Sequence, residues 1–400
     1  MSDLKNRIAG LSEEQKKKLT LLLAKEKQKK VNAEIVPQPK TDGIIPLSFA
    51  QERLWYLDQL TPDNSINNMA GYAIVRGDFK IDTAKKCFDE IVKRHETLRS
   101  TFVLTDGKPQ IKFNPDAWDN HIDINLRNSL NPDKASEAVQ LMVKDAQVPF
   151  NLENGPLVRF MWLQTADNEW FVYIVWHHII SDGISTNVFF QDFIALYESM
   201  AQGNTSNYSP LAIQYSDFAI WQKNQFEHNL VKDQLNYWKE KLRDVPQLLE
   251  LPLDFPRPKI QSSEGNRVQL KIDSTLTEKL KQLSQKEGVT LFVALLSALK
   301  VLLYRYTGKT DLVVGAPIAG RNRKELTNLI GCFLNMLVFR STFNRETSYK
   351  NLLQIVKKTT LEAFQNQDIP FEKLVDELQI ERNMSSNPLY QVGFSYEESR

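Results

Sequence analysis

The chain has 400 residues, more than one hydrophobic core usually organises, and 42% of them are hydrophobic, so two lobes with substantial cores are expected. Fifty basic residues stand against forty-nine acidic ones, which removes any overall electrostatic case for nucleic acid or an anionic membrane as partner. The polar N-terminus and the lack of any run approaching ~20 apolar residues argue against secretion and membrane spanning, and the only cysteines, Cys87 and Cys332, sit in apolar segments that suit a reducing cytoplasm rather than disulfides or zinc.

Residues 12–28 are predicted to form a short basic helix, opened by a capping box of Ser12 and Gln15 and carrying Leu19, Leu21, Leu22 and Leu23. The stretch 29–43 loses periodicity and gains Pro and Gly, so 1–43 reads as a helix and linker, a candidate docking segment, with the folded body starting near Ile44. Then follow a predicted strand at 72–76, a helix at 82–94 and a hairpin in LRSTFVLTDGKPQIKF that turns at Asp106-Gly107. A second hairpin pairs 157–163 with 170–176 and runs straight into His177, and a helix follows over 185–200. The Pro- and Ser-rich segment 246–266 divides a lobe at 44–245 from one at 267–400. Beyond it come helices at 276–286 and 291–306, strands at 311–319 and 336–342, helices at 349–364 and 371–378, and a strand at 391–396. Apolar strands alternating with amphipathic helices predict an α/β sandwich.

Two of the five histidines, His177 and His178, are adjacent at the end of the apolar strand FVYIVW, ahead of a loop with Asp182 and Gly183 and then a helix. Such a junction presents a side chain to a cleft, while Gly183 permits a turn and bares backbone N–H groups near a helix N-terminus. A neutral imidazole there can orient an attacking amine or take its proton, and the N–H groups around Gly183 can stabilise an oxyanion. Asp182, four residues after His178, is placed to fold back and order the loop. A His-His pair at a strand end is by itself commonly structural.

The wider pattern changes that balance. HHIISDG at 177–183 resembles the His-His-x-x-x-Asp-Gly core of condensation domains of nonribosomal peptide synthetases, and SFAQERLWYL at 48–57 resembles their opening motif. RHETLRSTF at 94–102, YSDFAIW at 215–221, IGCFLNMLVFR at 330–340, NQDIPFE at 366–372 and RNMSSNPL at 382–389 match further motifs in the family's order. The resemblance implies two chloramphenicol acetyltransferase-like lobes in a V, with His177-His178 at the middle of a tunnel between them. A donor held as a thioester on the phosphopantetheine of one carrier protein would meet the amine of an acceptor on a second. No cofactor bound by the domain itself is implied.

By the same resemblance His178 is the catalytic histidine and His177 structural. Asp182 makes a structural ion pair with Arg321 or Arg340, and Gly183 leaves room for the pantetheine arm or offers its N–H to the carbonyl oxygen. Ser185 and Asn335 complete the expected supporting set. The chain departs from the family pattern at Ile184, where Trp is common, and at Asn335-Met336, where Asn-Thr is usual. IGCFLNMLVFR is closer to domains taking an L-configured or fatty acyl donor. Arg53, Trp55, Arg94, His95 and Arg99 are expected to pair and pack inside the first lobe, and the helix with Tyr215, Asp217 and Trp221 to stitch the lobes together. Because only 1–43 precedes the body, the donor carrier is expected on a separate protein, with the basic helix as its docking element. Because family members run on past the 391–396 strand, the chain is expected to be part of a longer synthetase with an adenylation domain downstream. The competing readings are a coenzyme A-dependent acyltransferase of the same superfamily and a non-catalytic recruitment domain of the same fold.

Overall fold

The structure, a computed structural model, describes residues 34–39, 45–114, 121–203, 209–262, 264–380 and 383–397. The helix expected at 12–28 lies outside the described residues. Within the expected linker, residues 34–39 are not free: Ile35 is buried, its N–H donates to Glu325 Oε1 at 3.2 Å, and the Gln38 N–H donates to Asp217 Oδ1 at 2.8 Å.

The first core is built on a four-stranded sheet ordered β2 (Asn68–Arg76), β7 (Glu169–His177), β6 (Val158–Ala166) and β5 (His121–Asn125), antiparallel except for the parallel β5–β6 pair. Residues Phe171–His177 of β7 are all buried, the mark of a strand covered on both faces. On one face α2 (Ile81–Arg94) and α4 (Gly183–Ala201) bring Phe88 and Phe189 against Phe160, with Phe88 also on Trp162 and Phe189 on Trp176. On the other lies α3 (Lys134–Ala146), tied to β6 by the Arg159–Asp145 ion pair at 3.2 Å. A smaller sheet, ordered β1 (Ile45–Pro46), β4 (Lys108–Phe113) and β3 (Ser100–Thr105), carries the expected hairpin, with Asp106 at φ 50 and Gly107 at φ 74 making its turn. Helix α1 (Phe49–Leu60), between β1 and β2, opens with a capping box of Ser48 and Gln51.

The second core gathers on the antiparallel hairpin-like pair β8 (Asp311–Ile318) and β9 (Asn335–Thr342), covered by α8 (Leu291–Thr307) and α9 (Tyr349–Gln365). Helix α8 starts at the Thr290 cap and stops at Gly308, whose left-handed φ of 68 ends it. This core begins ahead of the 246–266 segment, because Val231, Trp238 and Leu242, from the start, body and end of α6 (Lys232–Lys241), pack with Leu296 and Phe339. Helix α5 (Tyr215–Glu227) precedes it, and α7 (Ser274–Lys286) lies between the 246–266 segment and α8. The strand expected at 391–396 is reduced to one parallel bridge, Gly315 to Gly393, in which the Gly315 N–H donates to Val392 O and the Phe394 N–H to Gly315 O. No single helix among the described residues is long and apolar enough to cross a membrane.

Lys300 of α8 is fully buried, and its Nζ donates to the carbonyls of Phe339 at 2.6 Å and Leu312 at 3.2 Å, pinning the helix to both strands. Burial pushes its pKa down to about 7, below the unfolded value of about 10.4. Between those values the unfolded chain binds the extra proton, so stability should rise with pH from about 7 to about 10, by at most ~1.4 kcal/mol per unit. Lys300→Met keeps the volume without the titration. Urea melts across that range should show a flatter profile for the variant; equal slopes would remove Lys300 as the source.

Candidate functional site

Three segments meet at the C-terminal end of β7: the loop after His177, the N-terminus of α4, and the 320–335 connection between β8 and β9. His177 closes β7 opposite Asn68 of β2, and its N–H donates to Leu157 O at 3.0 Å. Its ring is 2% exposed, and Nδ1 accepts the Ile179 N–H at 3.1 Å. Burial first, then the neighbouring His178 charge, lowers its pKa to about 4, which keeps it neutral at ordinary pH. All of this suits a scaffold role.

His178 starts a 3-10 turn, His178–Ile180, and its N–H donates to Asn67 O at 2.8 Å. Its Nδ1 lies 2.8 Å from the Ser181 carbonyl oxygen. A carbonyl only accepts, so Nδ1 carries the hydrogen and the neutral ring keeps its lone pair on Nε2. The turn thus fixes the tautomer with its own backbone. The Cys332 sulfur stands 3.7 Å from the same Nδ1, a thiol whose pKa burial raises far above its usual range.

Asp182 caps α4 and spends both oxygens on protein donors. Oδ1 accepts from the Ser185 N–H and hydroxyl, each at 2.8 Å, and from Arg321 Nη2 at 3.0 Å; Oδ2 accepts the Phe333 N–H at 3.2 Å. The side chains of Asp182 and Arg321 are 4% and 5% exposed. Arg321 also donates through Nη1 to Leu326 O and Leu329 O, and its guanidinium lies over the Phe333 ring. Arg321 is therefore the ionic partner of Asp182. Arg340 is not: its guanidinium holds Asp311 at 2.7 Å and the carbonyls of Lys241 and Arg243. Register explains this, since Arg340 faces Val313, two residues along β8 from Asp311.

Ser185 Oγ lies within 3.2 Å of the Asp182 and Gly331 N–H groups, Arg321 Nη2 and the Gly331 carbonyl, and so knots α4 to the crossing loop. Asn335 is spent elsewhere: its Nδ2 donates to Gln367 O and Ile369 O, and its Oδ1 accepts the Phe371 N–H that starts α10 (Phe371–Glu377). Gly183 is exposed and its φ lies outside the left-handed region, so no turn there demands glycine. A Cβ on it would meet open space, which leaves that side of the helix start free for a ligand.

Further buried polar residues, outside the expected site set, converge on the same loops. Ser48 Oγ donates to Tyr215 Oη at 2.8 Å, Tyr215 Oη donates to Cys332 O, and Gln51 Nε2 donates to Ile179 O at 3.1 Å. His95 Nδ1 accepts the Ile330 N–H while Nε2 holds Asp192 Oδ2 at 3.1 Å. Arg53 pairs with Glu372 of α10 at 3.5 Å, a contact to the second lobe rather than within the first. Tyr215 and Phe218 of α5 pack with Leu326, Leu329 and Phe333, so this helix does join the two halves. Gly331 lies against the Tyr215 ring, where a Cβ would come within 1.9 Å. Gly331→Ala should therefore cost ~1–3 kcal/mol or more by overpacking, visible as a lower Tm; an unchanged Tm would mean that the loop and α5 do not pack this closely.

Residues 41–399 match the family model described as Condensation domain. A linear gramicidin synthase polypeptide of Brevibacillus parabrevis is 41% identical over 360 residues, 90% of this chain and 5% of that protein. Phosphinothricin tripeptide synthetase PhsC of Streptomyces viridochromogenes is 35% identical over 400 residues, 100% of this chain and 37% of that protein. The chain thus spans a small part of its curated relatives. Among solved structures, the X-domain from teicoplanin biosynthesis superposes with a TM-score of 0.81 at 25% identity, over 90% of this chain and 79% of that one. A four-domain nonribosomal peptide synthetase bound to AMP and glycine gives 0.77 at 24% identity, over 88% of this chain and 26% of that one.

Proposed function

The chain belongs to the condensation-domain family, and from that premise we propose that it forms the amide bond between a carrier-bound acyl, aminoacyl or peptidyl thioester and the amine of a carrier-bound aminoacyl acceptor. The observation that carries the reading is the fixed tautomer of His178, whose Nδ1–H is committed to Ser181 O and whose Nε2 is left as an acceptor. In the proposed step Nε2 orients the acceptor amine and takes its proton as nitrogen attacks the thioester carbonyl. The C–N bond forms, the C–S bond breaks, and the proton passes to the leaving thiolate. The Gly183 N–H is the proposed donor to the carbonyl oxygen as charge develops there. Asp182, Arg321, Ser185 and His177 hold the loop, Asn335 positions α10, and Arg340 takes no part.

The partners follow from this reading: donor and acceptor carrier proteins whose phosphopantetheine arms bring the substrates, and an adenylation domain elsewhere in a longer, cytoplasmic synthetase. No cofactor of its own enters the step. The test incubates the purified chain with two loaded carriers and, in parallel, with acyl-coenzyme A and free aminoacyl acceptor, and detects the new amide by mass spectrometry. Product from the carriers supports the reading. Product from coenzyme A alone would reassign the chain to acyl transfer from that donor, and no product from either would favour a recruitment domain of the same fold.

A further inference from the structure

Residues 34–39 have the composition of a linker, yet they are strapped onto two elements that support the site. The Ile35 N–H donates to Glu325 Oε1 at 3.2 Å, on the 3-10 turn Lys324–Leu326, and the Gln38 N–H donates to Asp217 Oδ1 at 2.8 Å, on α5. Pro37 between them disfavours helical backbone at Val36, which suits an extended strap. The Ile35 side chain, 2% exposed, belongs to the apolar cluster of Tyr215, Phe218, Leu326, Leu329 and Phe333.

That cluster is made of the residues that hold the His178 loop. Leu326 and Leu329 contribute their side chains to it, and their carbonyls accept Arg321 Nη1 at 2.7 and 2.6 Å while Nη2 of the same guanidinium holds Asp182. Phe333 packs there too and donates its N–H to Asp182 Oδ2. Tyr215 donates to the carbonyl of Cys332, whose sulfur stands 3.7 Å from His178 Nδ1. Packed and hydrogen-bonded groups therefore run without a break from Ile35 to the ring, the kind of chain along which a local change is felt at a distance. The strap is thinly held. Ordering its backbone costs entropy, set against one buried isoleucine and two hydrogen bonds to carboxylates.

We infer that Ile35 is a positioning residue: seated in this cluster, it sets the 325–333 connection and, through Arg321 and Asp182, the loop that aims the His178 ring. Its bearing on catalysis rests on the amide-forming reading above; its effect on the ring does not.

The test labels the full chain with diethyl pyrocarbonate, which acylates an unprotonated imidazole nitrogen, well below the melting temperature. Peptide mass spectrometry gives the rate at His178 relative to His228, an exposed internal control. Ile35→Ser should change that ratio by about two- to tenfold, and Ile35→Val, which keeps an apolar plug, should stay near the parent. Should the serine variant fail to fold, Glu325→Ala removes only the acceptor of the Ile35 N–H and is read by the same ratio. A ratio unmoved in the folded variant overturns the inference, even with a lower Tm, because Ile35 would then be packing alone. The carrier assay is scored separately: a parent that forms no amide would sink the proposed function and leave a changed ratio standing, whereas an active parent with an unmoved ratio would sink the strap alone.

Discussion

Asp182→Ala is expected to destabilise the protein by ~3–5 kcal/mol, lowering Tm by on the order of 10 °C, and to abolish activity as a consequence. The size follows from what the change strands. Arg321 keeps its charge in a site where its side chain is 5% exposed, and the Ser185 N–H and hydroxyl and the Phe333 N–H lose their shared acceptor. Helix α4 also loses its N-cap. Asp182→Asn keeps a capping oxygen and should lose less. Replacing Asp182 and Arg321 together by leucine and methionine should recover part of the loss, because the main penalty lies in an orphaned buried charge rather than in the absence of the pair. Thermal melts of the four proteins decide the matter: an alanine variant that melts like the parent yet is inactive would move the aspartate from scaffold to chemistry.

How far this arrangement can be read from the sequence depends on whether the signal is local. The apolar runs of β6 and β7, the Asp106-Gly107 turn and the Thr290 start and Gly308 stop of α8 are local, and the elements appear where the pattern places them. The partner of Asp182 is not local. Arg321 follows the apolar strand β8 and Arg340 sits near the end of the apolar strand β9, and only the β8–β9 register, which sets Arg340 beside Asp311, separates them as partners. The division between lobes suffers from the same blindness: the Pro-rich 246–266 segment is the visible break in composition, but Trp238 chooses the second core through tertiary packing that composition does not record. Gly183 looks like a turn glycine because glycine is common where φ is positive, whereas here the backbone is one that other residues adopt. Ser48, Gln51, Tyr215 and His95 are visible as motif positions, but their meeting at the loops around His178 and Cys332 spans contacts 117 to 235 residues apart.

His178→Ala should behave in the opposite way to Asp182→Ala, losing ~10²–10⁴ in turnover with two loaded carriers while the melting temperature barely moves. The ring is only partly buried, and its one strong hydrogen bond runs to a carbonyl, Ser181 O, that belongs to a short turn also closed by the Ser181 N–H on His178 O. Removing it strands little. His177→Ala supplies the internal contrast, because that ring is 2% exposed and accepts the buried Ile179 N–H, so its loss should cost ~1–3 kcal/mol of stability and affect activity through the fold. The pair of neighbours therefore separates chemistry from support with one assay and one melt. A His178→Ala protein that turns over at the parent rate would remove the side chain from the mechanism and leave a domain that joins its substrates by positioning alone. Equal losses of stability in both variants would mean that the turn needs His178 for its shape, and the tautomer argument would then no longer mark it as the reacting group.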